Sequence, residues 1–208
     1  MISYNPAPIR KMTSQLGETV QYNLPVGEDS VPMNPLIGKE VTLTYSGKIS
    51  CCHCGKITKK SYSQGFCYPC MLKLAQCDMC IMKPETCHFE QGTCREPEWG
   101  QTHCMIPHFV YLANTSGIKV GITRHSQVPT RWIDQGATQA LPIFKVATRL
   151  QSGLVEIALA EFIADKTNWR NMLKGLNDSV DLKSKAAELI PHIGEKLGQL
   201  QLTYGADA

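Results

Sequence analysis

Short apolar runs in the second half of the chain predict an antiparallel pair of strands. The run Phe109-Val-Tyr-Leu-Ala113 has the length of a buried strand, and Ile118-Lys-Val-Gly-Ile-Thr123 is a second run of the same kind. Between them, Asn114-Thr-Ser-Gly117 is rich in turn-forming residues. We therefore expect a β-hairpin with a four-residue loop.

The chain after this hairpin predicts a helix and a third strand. Residues 126–135 suit a short helix if Pro129 lies near its start, where the missing N–H group is not needed. Residues 141–148, Leu-Pro-Ile-Phe-Lys-Val-Ala-Thr, have the apolar content of a strand. These segments extend the predicted order to β-β-α-β.

A second helix completes this part of the chain. Ser152 can cap a helix over residues 153–165, in which Val155, Leu159 and Phe162 recur at the spacing of a core-facing stripe. The order β-β-α-β-α predicts the fold class α+β. Residues 106–175 are long enough to form a small domain of that class.

The two ends of the chain differ from this domain. Residues 1–50 contain five prolines, which argue against long helices. Within them, Lys39-Glu-Val-Thr-Leu-Thr-Tyr45 alternates polar and apolar residues and predicts a half-buried strand, so we expect a small β segment. Residues 176–208 predict a helical tail that Pro191 interrupts. Its partial apolar stripe consists of Val180, Leu189, Ile193 and Leu197.

Cysteine is the residue type whose distribution changes this picture. All ten cysteines lie between Cys51 and Cys104, and few aliphatic residues separate them, so residues 51–105 can bury little apolar surface. The first 25 residues lack the apolar core of a signal peptide, and no apolar run approaches the length that spans a bilayer. We therefore expect a cytoplasmic protein without a membrane segment. Clustered cysteines in such a chain more often bind metal than form disulfides.

Two cysteine pairs have the spacing of a structural zinc site. Cys51 and Cys54 form one C-x₂-C pair, and Cys67 and Cys70 form another after twelve intervening residues. A two-residue gap lets both thiolates of a pair point inward from a tight turn, and two pairs complete a tetrahedral Cys₄ site. We predict a zinc-ribbon-like module here, in which the ion replaces a missing core. The alternative is a redox pair or free thiols.

A second zinc site is predicted from the five cysteines that follow, which are Cys77, Cys80, Cys87, Cys94 and Cys104. Cys77 and Cys80 form a true C-x₂-C pair, and His88 and His103 compete with the remaining cysteines as ligands. A tetrahedral ion takes only four ligands, so we favour the first four of these cysteines, with Cys104 as the alternative. The cofactors expected are therefore two structural Zn²⁺ ions, and an iron–sulfur cluster is the less favoured occupant.

The predicted hairpin contains two tripeptides with a counterpart in a known superfamily. Seven residues separate Phe109-Val-Tyr111 from Lys119-Val-Gly121, Arg131 follows ten residues later, and Glu156 lies on the helix after the third strand. This arrangement resembles the paired strand signature of the GIY-YIG nuclease superfamily, over residues 108–175. The fold that the resemblance implies agrees with the order β-β-α-β-α.

The resemblance also implies an activity, the hydrolysis of a phosphodiester with one divalent ion, Mg²⁺ or Mn²⁺. Glu156 would hold the ion, Arg131 would stabilise charge on the phosphate, and Tyr111 would orient or deprotonate the attacking water. Two positions depart from the signature, because Lys119 replaces the usual tyrosine and the first tripeptide lacks its glycine. Three roles are therefore open for Lys119. It contacts phosphate, it serves as a base, or it indicates that the site has lost catalysis.

The whole chain is also similar to an uncharacterised bacterial family of domains of unknown function. That family joins a cysteine-rich N-terminal module to the runs Val110-Tyr-Leu-Ala, Gly121-Ile-Thr-Arg and Arg131-Trp-Ile-Asp-Gln-Gly. No activity follows from this closer resemblance.

Nucleic acid is the partner that the basic and aromatic residues favour. The candidate contacts are Arg124, His125, Trp132, Lys56 and Lys59. A net charge of +3 excludes a strongly basic coat but is compatible with a local basic groove. The alternatives are a solvated loop for the lysines and a core position for Trp132. The sequence thus favours a zinc-containing nucleic-acid-binding protein with a GIY-YIG-like domain, for which the resemblance implies a metal-dependent endonuclease. The second interpretation is a non-catalytic zinc-ribbon adaptor for nucleic acid or protein.

Overall fold

The computed structural model of this protein describes residues 4–163, 170 and 178–204. The chain forms two compact units, one that ends at Asp78 and one that begins at Met79. Small antiparallel sheets occur in both units, and the C-terminal region is helical, so the protein has the mixed α+β composition that the sequence predicts. No helix within these described ranges is long and apolar enough to cross a membrane.

A three-stranded antiparallel sheet forms the N-terminal part of the first unit. Its strands, in sheet order, are β1 (Thr13–Gln15), β2 (Gln21–Val26) and β3 (Asp29–Pro32). Gly27 lies in the tight turn between β2 and β3 with a φ of +60°, a backbone conformation that costs glycine little. The Asn34 side chain accepts from Tyr22 N and donates to Val20 O, each at 2.8 Å, and so ties the following turn to β2.

The prediction of a strand over residues 39–45 is wrong. None of these residues, all of which the structure describes, belongs to a strand, and Val41, Leu43 and Tyr45 are 49%, 72% and 70% exposed. Alternation gives a strand only where a neighbouring strand binds the backbone and a core covers one face. In this unit β1 and β3 already pair with both edges of β2.

The cysteine-rich part of the first unit contains little regular structure. Strand β4 (Ile49–Ser50) pairs with β5 (Ile57–Thr58), and helix α1 (Tyr68–Lys73) follows. In the second unit, helix α2 (Pro97–His103) precedes the sheet. These short elements are consistent with a segment that has few apolar residues to bury.

The second unit is built around the predicted hairpin. Strands β6 (His108–Asn114) and β7 (Ile118–Arg124) pair antiparallel, with Tyr111 opposite Gly121. Strand β8 (Gln139–Val146) pairs with the other edge of β6, so the sheet order is β7-β6-β8. All three strands lie within a few residues of their predicted bounds.

The two predicted helices are present, but the second begins earlier than expected. Helix α3 (Thr130–Asp134) follows Pro129, and helix α4 (Arg149–Ala160) follows β8. Thr148, not Ser152, caps α4. Its hydroxyl accepts from Gln151 N at 3.3 Å, and the Gln151 side chain accepts from Thr148 N at 3.0 Å. This capping box gives hydrogen-bond partners to the backbone N–H groups of Thr148 and Gln151. A helix that began at Ser152 would lack this reciprocal pair of bonds.

Helix α4 ends earlier than predicted, so the residues of its core-facing stripe differ from the predicted ones. Val155 and Leu159 are buried as expected, whereas Phe162 lies beyond the helix and is 45% exposed. Ile163 is buried instead. The predicted continuation to residue 165 lies outside the described residues.

One hydrophobic core joins the sheet, α4 and the C-terminal tail. Val110, Leu112 and Val120 pack with Val155 and Leu159. The tail adds Leu182, Ala186, Leu189 and Ile193. It consists of α5 (Leu182–Leu189), a 3₁₀ turn (Ile190–Ile193) and α6 (Gly194–Tyr204), so Pro191 tightens the helical region without ending it. The predicted boundary at residues 175 and 176 lies outside the described residues.

Gly153 marks the closest approach between α4 and the segment before the sheet. A Cβ atom there would lie 2.6 Å from Pro84 Cβ and 2.8 Å from the backbone nitrogen of Glu85. We expect Gly153→Ala to lower the free energy of unfolding by about 1–3 kcal/mol, because the neighbouring backbone must move. Gly198→Ala in α6 meets open space and should raise it by about 0.5–1 kcal/mol. Urea denaturation measures both, and stabilisation by both substitutions would contradict the close contact.

Candidate functional site

The first predicted set of cysteines comes together in the first unit. The sulfur atoms of Cys51, Cys54, Cys67 and Cys70 all lie within 4.8 Å of one another, and those of Cys54 and Cys67 are 3.8 Å apart. Four thiols at this spacing suit a tetrahedral zinc ion. None of the ten cysteines, all of which the structure describes, forms a disulfide. The cluster can therefore hold Zn²⁺.

Local backbone geometry explains why these four thiols meet. Cys51 follows β4, and a tight turn in which Gly55 N donates to Cys51 O at 3.0 Å reverses the chain there. Gly55 has a φ of +72°, which glycine adopts without strain. Cys67 is the N-cap of α1 and Cys70 lies in its first turn. Each pair is thus presented by a compact turn.

The thiols of this cluster differ in acidity. Burial raises the pKa of Cys51, but hydrogen bonds from the backbone of Cys54, Cys67 and His53 together outweigh burial and lower the pKa to about 6. Hydrogen bonding to Cys67, followed by burial, raises the pKa of Cys70. Opposite shifts are expected where neighbouring thiols share protons, and zinc binding replaces such protons with the metal.

The cysteines of the predicted second site are less close together. Cys77 lies in the first unit and the other four lie in the second. Within the described part of the chain, the four sulfur atoms of the second unit form no group like the first cluster, although Cys80 Sγ lies within 4.8 Å of a ring nitrogen of His88. His103 stacks on Trp99, with ring centroids 4.2 Å apart. The second zinc site stays a prediction.

The lysines predicted to contact nucleic acid lie between the two cysteine pairs of the first cluster. Lys56 and Lys59 are both exposed there, as are Cys52 and His53. Exposure leaves the two ammonium groups accessible to an anionic partner.

In the second unit, the structure brings three predicted catalytic residues together. Tyr111 is fully buried in the middle of β6. Burial raises the pKa of Tyr111, the charge and hydrogen bonding of Arg131 act in the opposite direction, and the charge of Glu156 raises it further. Arg131 on α3 and Glu156 on α4 are therefore close enough to the phenol to interact with it electrostatically.

Gly121 and α3 determine where the phenol lies. A Cβ atom on Gly121 would lie 2.7 Å from Tyr111 Oη, so the tyrosine ring needs the space that glycine leaves. Oη donates to Gln135 Oε1 at 2.5 Å, and the Trp132 ring packs edge-on against Tyr111 at 5.9 Å between centroids. Gln135 was not predicted, because its only signal in the sequence is its position one helical turn after Arg131. We call Tyr111, Arg131, Gln135 and Glu156 the Tyr111 cluster.

The remaining predicted residues lie on β7 and just after it. Lys119 is half-buried and lies two residues from Gly121, so alternation places both on the same face of the strand. Arg124 is half-buried at the end of β7. His125 is exposed, and its ring lies 5.4 Å from that of Phe109.

A further arginine that sequence analysis missed lies beside this cluster. Arg149 Nη2 donates to Ile81 O at 2.7 Å, its backbone nitrogen donates to Cys104 O at 2.8 Å, and Nε is buried with no hydrogen-bond partner among the described residues. Burial lowers the pKa of Arg149, while the charges of Cys104, Cys80 and Glu156 act against burial. Its sequence signal, a single arginine at the start of a helix, is weak.

His108 is a buried histidine at the start of β6. Its Nδ1 donates to Ile106 O at 2.7 Å, and Nε2 is buried without a hydrogen-bond partner in the described part of the protein. Burial lowers the pKa of His108 to about 4, and the charges of Arg149 and Arg124 add to this effect. The imidazole is therefore neutral at neutral pH.

This buried histidine predicts a loss of stability in mild acid. Because its pKa is about 4 in the folded state and about 6.5 when unfolded, the unfolded chain binds more protons between these values. The contribution of His108 to stability is therefore fully present above its pKa in the unfolded chain. It is lost as the pH falls towards its pKa in the folded protein. We expect protonation of His108 in the unfolded chain to lower the free energy of unfolding by about 2 kcal/mol when the pH decreases from 7 to 5. His108→Asn, which keeps a donor for Ile106, should show a smaller decrease in urea denaturation, and an unchanged decrease would contradict this role.

The first cysteine cluster predicts that the protein binds one zinc ion there, and that this binding depends on Cys51 and not on the adjacent Cys52. Cys51→Ser removes a buried thiolate ligand, so we expect the loss of one zinc ion per chain in elemental analysis. Cys52→Ser changes the adjacent exposed thiol, which is outside the cluster, and should leave the zinc content unchanged. Equal zinc content in the two variants would exclude the site.

Comparison with known proteins identifies the family of the chain. No curated protein and no solved structure matches it. Residues 38–207 match the model of a family described as protein of unknown function (DUF2797). The match includes the first cysteine cluster and all three strands of the second unit, and it extends over more than half of the sequence. The chain therefore belongs to the DUF2797 family.

Proposed function

We propose that this protein is a zinc-containing nucleic-acid-binding protein with a GIY-YIG-like domain that hydrolyses phosphodiester bonds as a metal-dependent endonuclease. The observation that supports the proposal is the Tyr111 cluster, in which side chains from β6, α3 and α4 interact around one buried phenol. The sheet order β7-β6-β8 and the helices that follow β7 and β8 have the element order of the GIY-YIG resemblance.

Arg131 is suited to bind the substrate phosphate. Its guanidinium is exposed and can donate two parallel hydrogen bonds to phosphate oxygens. The same donors stabilise the charge that develops on the phosphate during hydrolysis. Lys119, on the face of β7 that contains Gly121, offers a second cation for the same anion.

Glu156 is the residue that would hold Mg²⁺ or Mn²⁺. A half-buried carboxylate oxygen suits these hard ions, and the bound ion would act as a Lewis acid on the phosphate. One carboxylate near two arginines attracts a cation weakly, so the phosphate oxygens of the substrate must supply further negative ligands.

Tyr111 acts as a hydrogen-bonding group in the resting protein. Burial raises its pKa, so the phenol is protonated at neutral pH and its proton is donated to Gln135. Oη also accepts from the Arg131 side chain, and its second lone pair can accept a hydrogen bond and orient a water molecule.

The zinc module and the basic residues would bind the nucleic acid outside the cleavage site. Lys56 and Lys59 are exposed beside the first cysteine cluster, and Arg124 and His125 follow the hairpin. Trp132 supports Tyr111 through its ring contact. The reduced thiolates that zinc binding requires are typical of the cytoplasm, where we place the protein.

A second function, a non-catalytic zinc-ribbon adaptor, is favoured by a separate observation. Glu156 interacts electrostatically with the half-buried Arg149, which partly neutralises the carboxylate that would bind the catalytic ion. In an adaptor, the Tyr111 cluster would only stabilise the fold. The zinc module and the basic residues would then bind nucleic acid or protein without cleavage.

Cleavage of a mixed pool of single- and double-stranded DNA and RNA with Mg²⁺ or Mn²⁺ distinguishes the two functions. We expect cleavage by the wild type and a decrease of at least about 100-fold in Glu156→Gln and Arg131→Ala, because each removes a charge that the transition state requires. Glu161→Gln is the matched control, since Glu161 is an exposed carboxylate just after α4 that forms an ion pair with Lys196 at 2.5 Å.

The control should cleave like the wild type. Absence of cleavage by zinc-loaded, folded wild-type protein would exclude the endonuclease and favour the adaptor. Cleavage that survives Glu156→Gln would exclude the ion-binding role of that residue.

A further inference from the structure

The segment between the unit boundary and the sheet lacks a hydrophobic core. From Met79 to Met105 it forms two short 3₁₀ turns and helix α2, and its buried residues are only Pro84, Gly100 and Cys104. Every residue of this range is described. A chain of this length that buries so few side chains needs another source of stability, for which a bound metal is the usual solution in small modules.

Cysteines of this segment gather around α2. Cys104 is buried at the C-terminal end of the helix, where its N–H donates to Gly100 O at 2.7 Å. A Cβ atom on Gly100 would lie 3.2 Å from Cys94 Sγ, so that sulfur packs against the same helix. Cys87 and Cys94 are also near enough to Cys104 for their charges to raise its pKa, after the larger effect of burial.

A half-buried arginine, Arg149, lies next to these thiols. The Arg149 guanidinium donates to Ile81 O and the Arg149 backbone N–H donates to Cys104 O, while Nε is buried without a hydrogen-bond partner among the described residues. A guanidinium in such a place stays charged and requires negative charge nearby. Cys80 and Cys104 are two of the groups near enough to Arg149 to act on its charge.

We propose that Cys80, Cys87, Cys94 and Cys104 bind a second zinc ion, with Arg149 as its counter-charge. Four thiolates around Zn²⁺ leave a net negative charge, which the half-buried guanidinium of Arg149 would partly neutralise. The sulfur atoms are more widely spaced than in the first cluster, and rotation about the Cα–Cβ bonds provides a means for them to approach an ion. Cys77, in the other unit, is not a ligand in this set.

The ion would also support the Tyr111 cluster without contacting it. It would hold the segment that binds the first residue of α4, and the charge of Arg149 acts on Glu156 of the same helix. This inference does not depend on nuclease activity, because zinc content is measured without a substrate.

Zinc content of three single variants tests the ligand set. Elemental analysis should give two zinc ions per chain for the wild type, one for Cys104→Ser, and two for both Cys77→Ser and the control Cys52→Ser. Wild-type zinc content in folded Cys104→Ser, or a loss of one ion in Cys77→Ser, would overturn the proposal. Loss of one ion in His88→Ala with no loss in Cys87→Ser would also overturn it, since His88 would then be the ligand.

Thiol alkylation of the wild type makes the test independent of whether Cys104→Ser folds. With zinc bound, we expect iodoacetamide to modify Cys52 and Cys77, while Cys80, Cys87 and Cys94 react only after treatment with a chelator. These three residues are half-buried, so burial alone does not protect them completely. Reaction of Cys80, Cys87 and Cys94 in the zinc-loaded protein, or chelator-dependent protection of Cys77, would overturn the proposed site.

Discussion

The register of β6 between β7 and β8 is the constraint on which the second unit depends. Val110 and Leu112 face the core formed with α4 and the C-terminal tail. Tyr111 lies between them and opposite Gly121, where its phenol meets α3. Because side chains alternate along a strand, a shift of one residue would exchange the core residues with the tyrosine. The same backbone pairing therefore builds the hydrophobic core and positions the candidate site.

Cysteine thiols that could hold a metal ion take the place of apolar side chains in the cysteine-rich part of the chain. Beyond Ser50, the first unit buries only Cys51, Cys67, Leu74 and Ala75, and two of these four are thiols of the cluster. A structural zinc ion contributes on the order of 10–16 kcal/mol of apparent binding free energy in small modules. An ion of that strength can hold turns whose own packing would be too weak, which explains why short elements suffice there.

Positive charge is concentrated around one carboxylate in the second unit. Arg149 interacts with Glu156 and with Arg124, and both Arg131 and Glu156 act on Tyr111. Such a surplus of guanidinium groups is unfavourable without an anion, and phosphate is the anion whose geometry guanidinium groups match best. The modest net charge of the whole chain conceals this local surplus, because acidic residues elsewhere balance it.

Local signals in the sequence were sufficient for the three strands of the second unit, the first cysteine cluster and the helical tail. Two C-x₂-C pairs define a tetrahedral site through short-range geometry, and apolar runs bounded by turn residues define β6 and β7, so neither depends on distant parts of the chain. The strand expected at residues 39–45 failed for the complementary reason, since alternation has no effect without a partner strand and a covering core.

Only the tertiary structure determined which residues surround the Tyr111 cluster. Gln135 and Arg149 each have a weak local signal, and their positions beside Tyr111 and Glu156 result from how α3 and α4 pack on the sheet. The start of α4 also depended on the structure, because both Thr148 and Ser152 can cap a helix. Thr148 is the N-cap because it forms a reciprocal pair of hydrogen bonds with Gln151. Sequence by itself determined the strands of the second unit and the four cysteines that come together from two short-range pairs. Tertiary packing decided the electrostatic surroundings, because charges act through space between residues far apart in sequence.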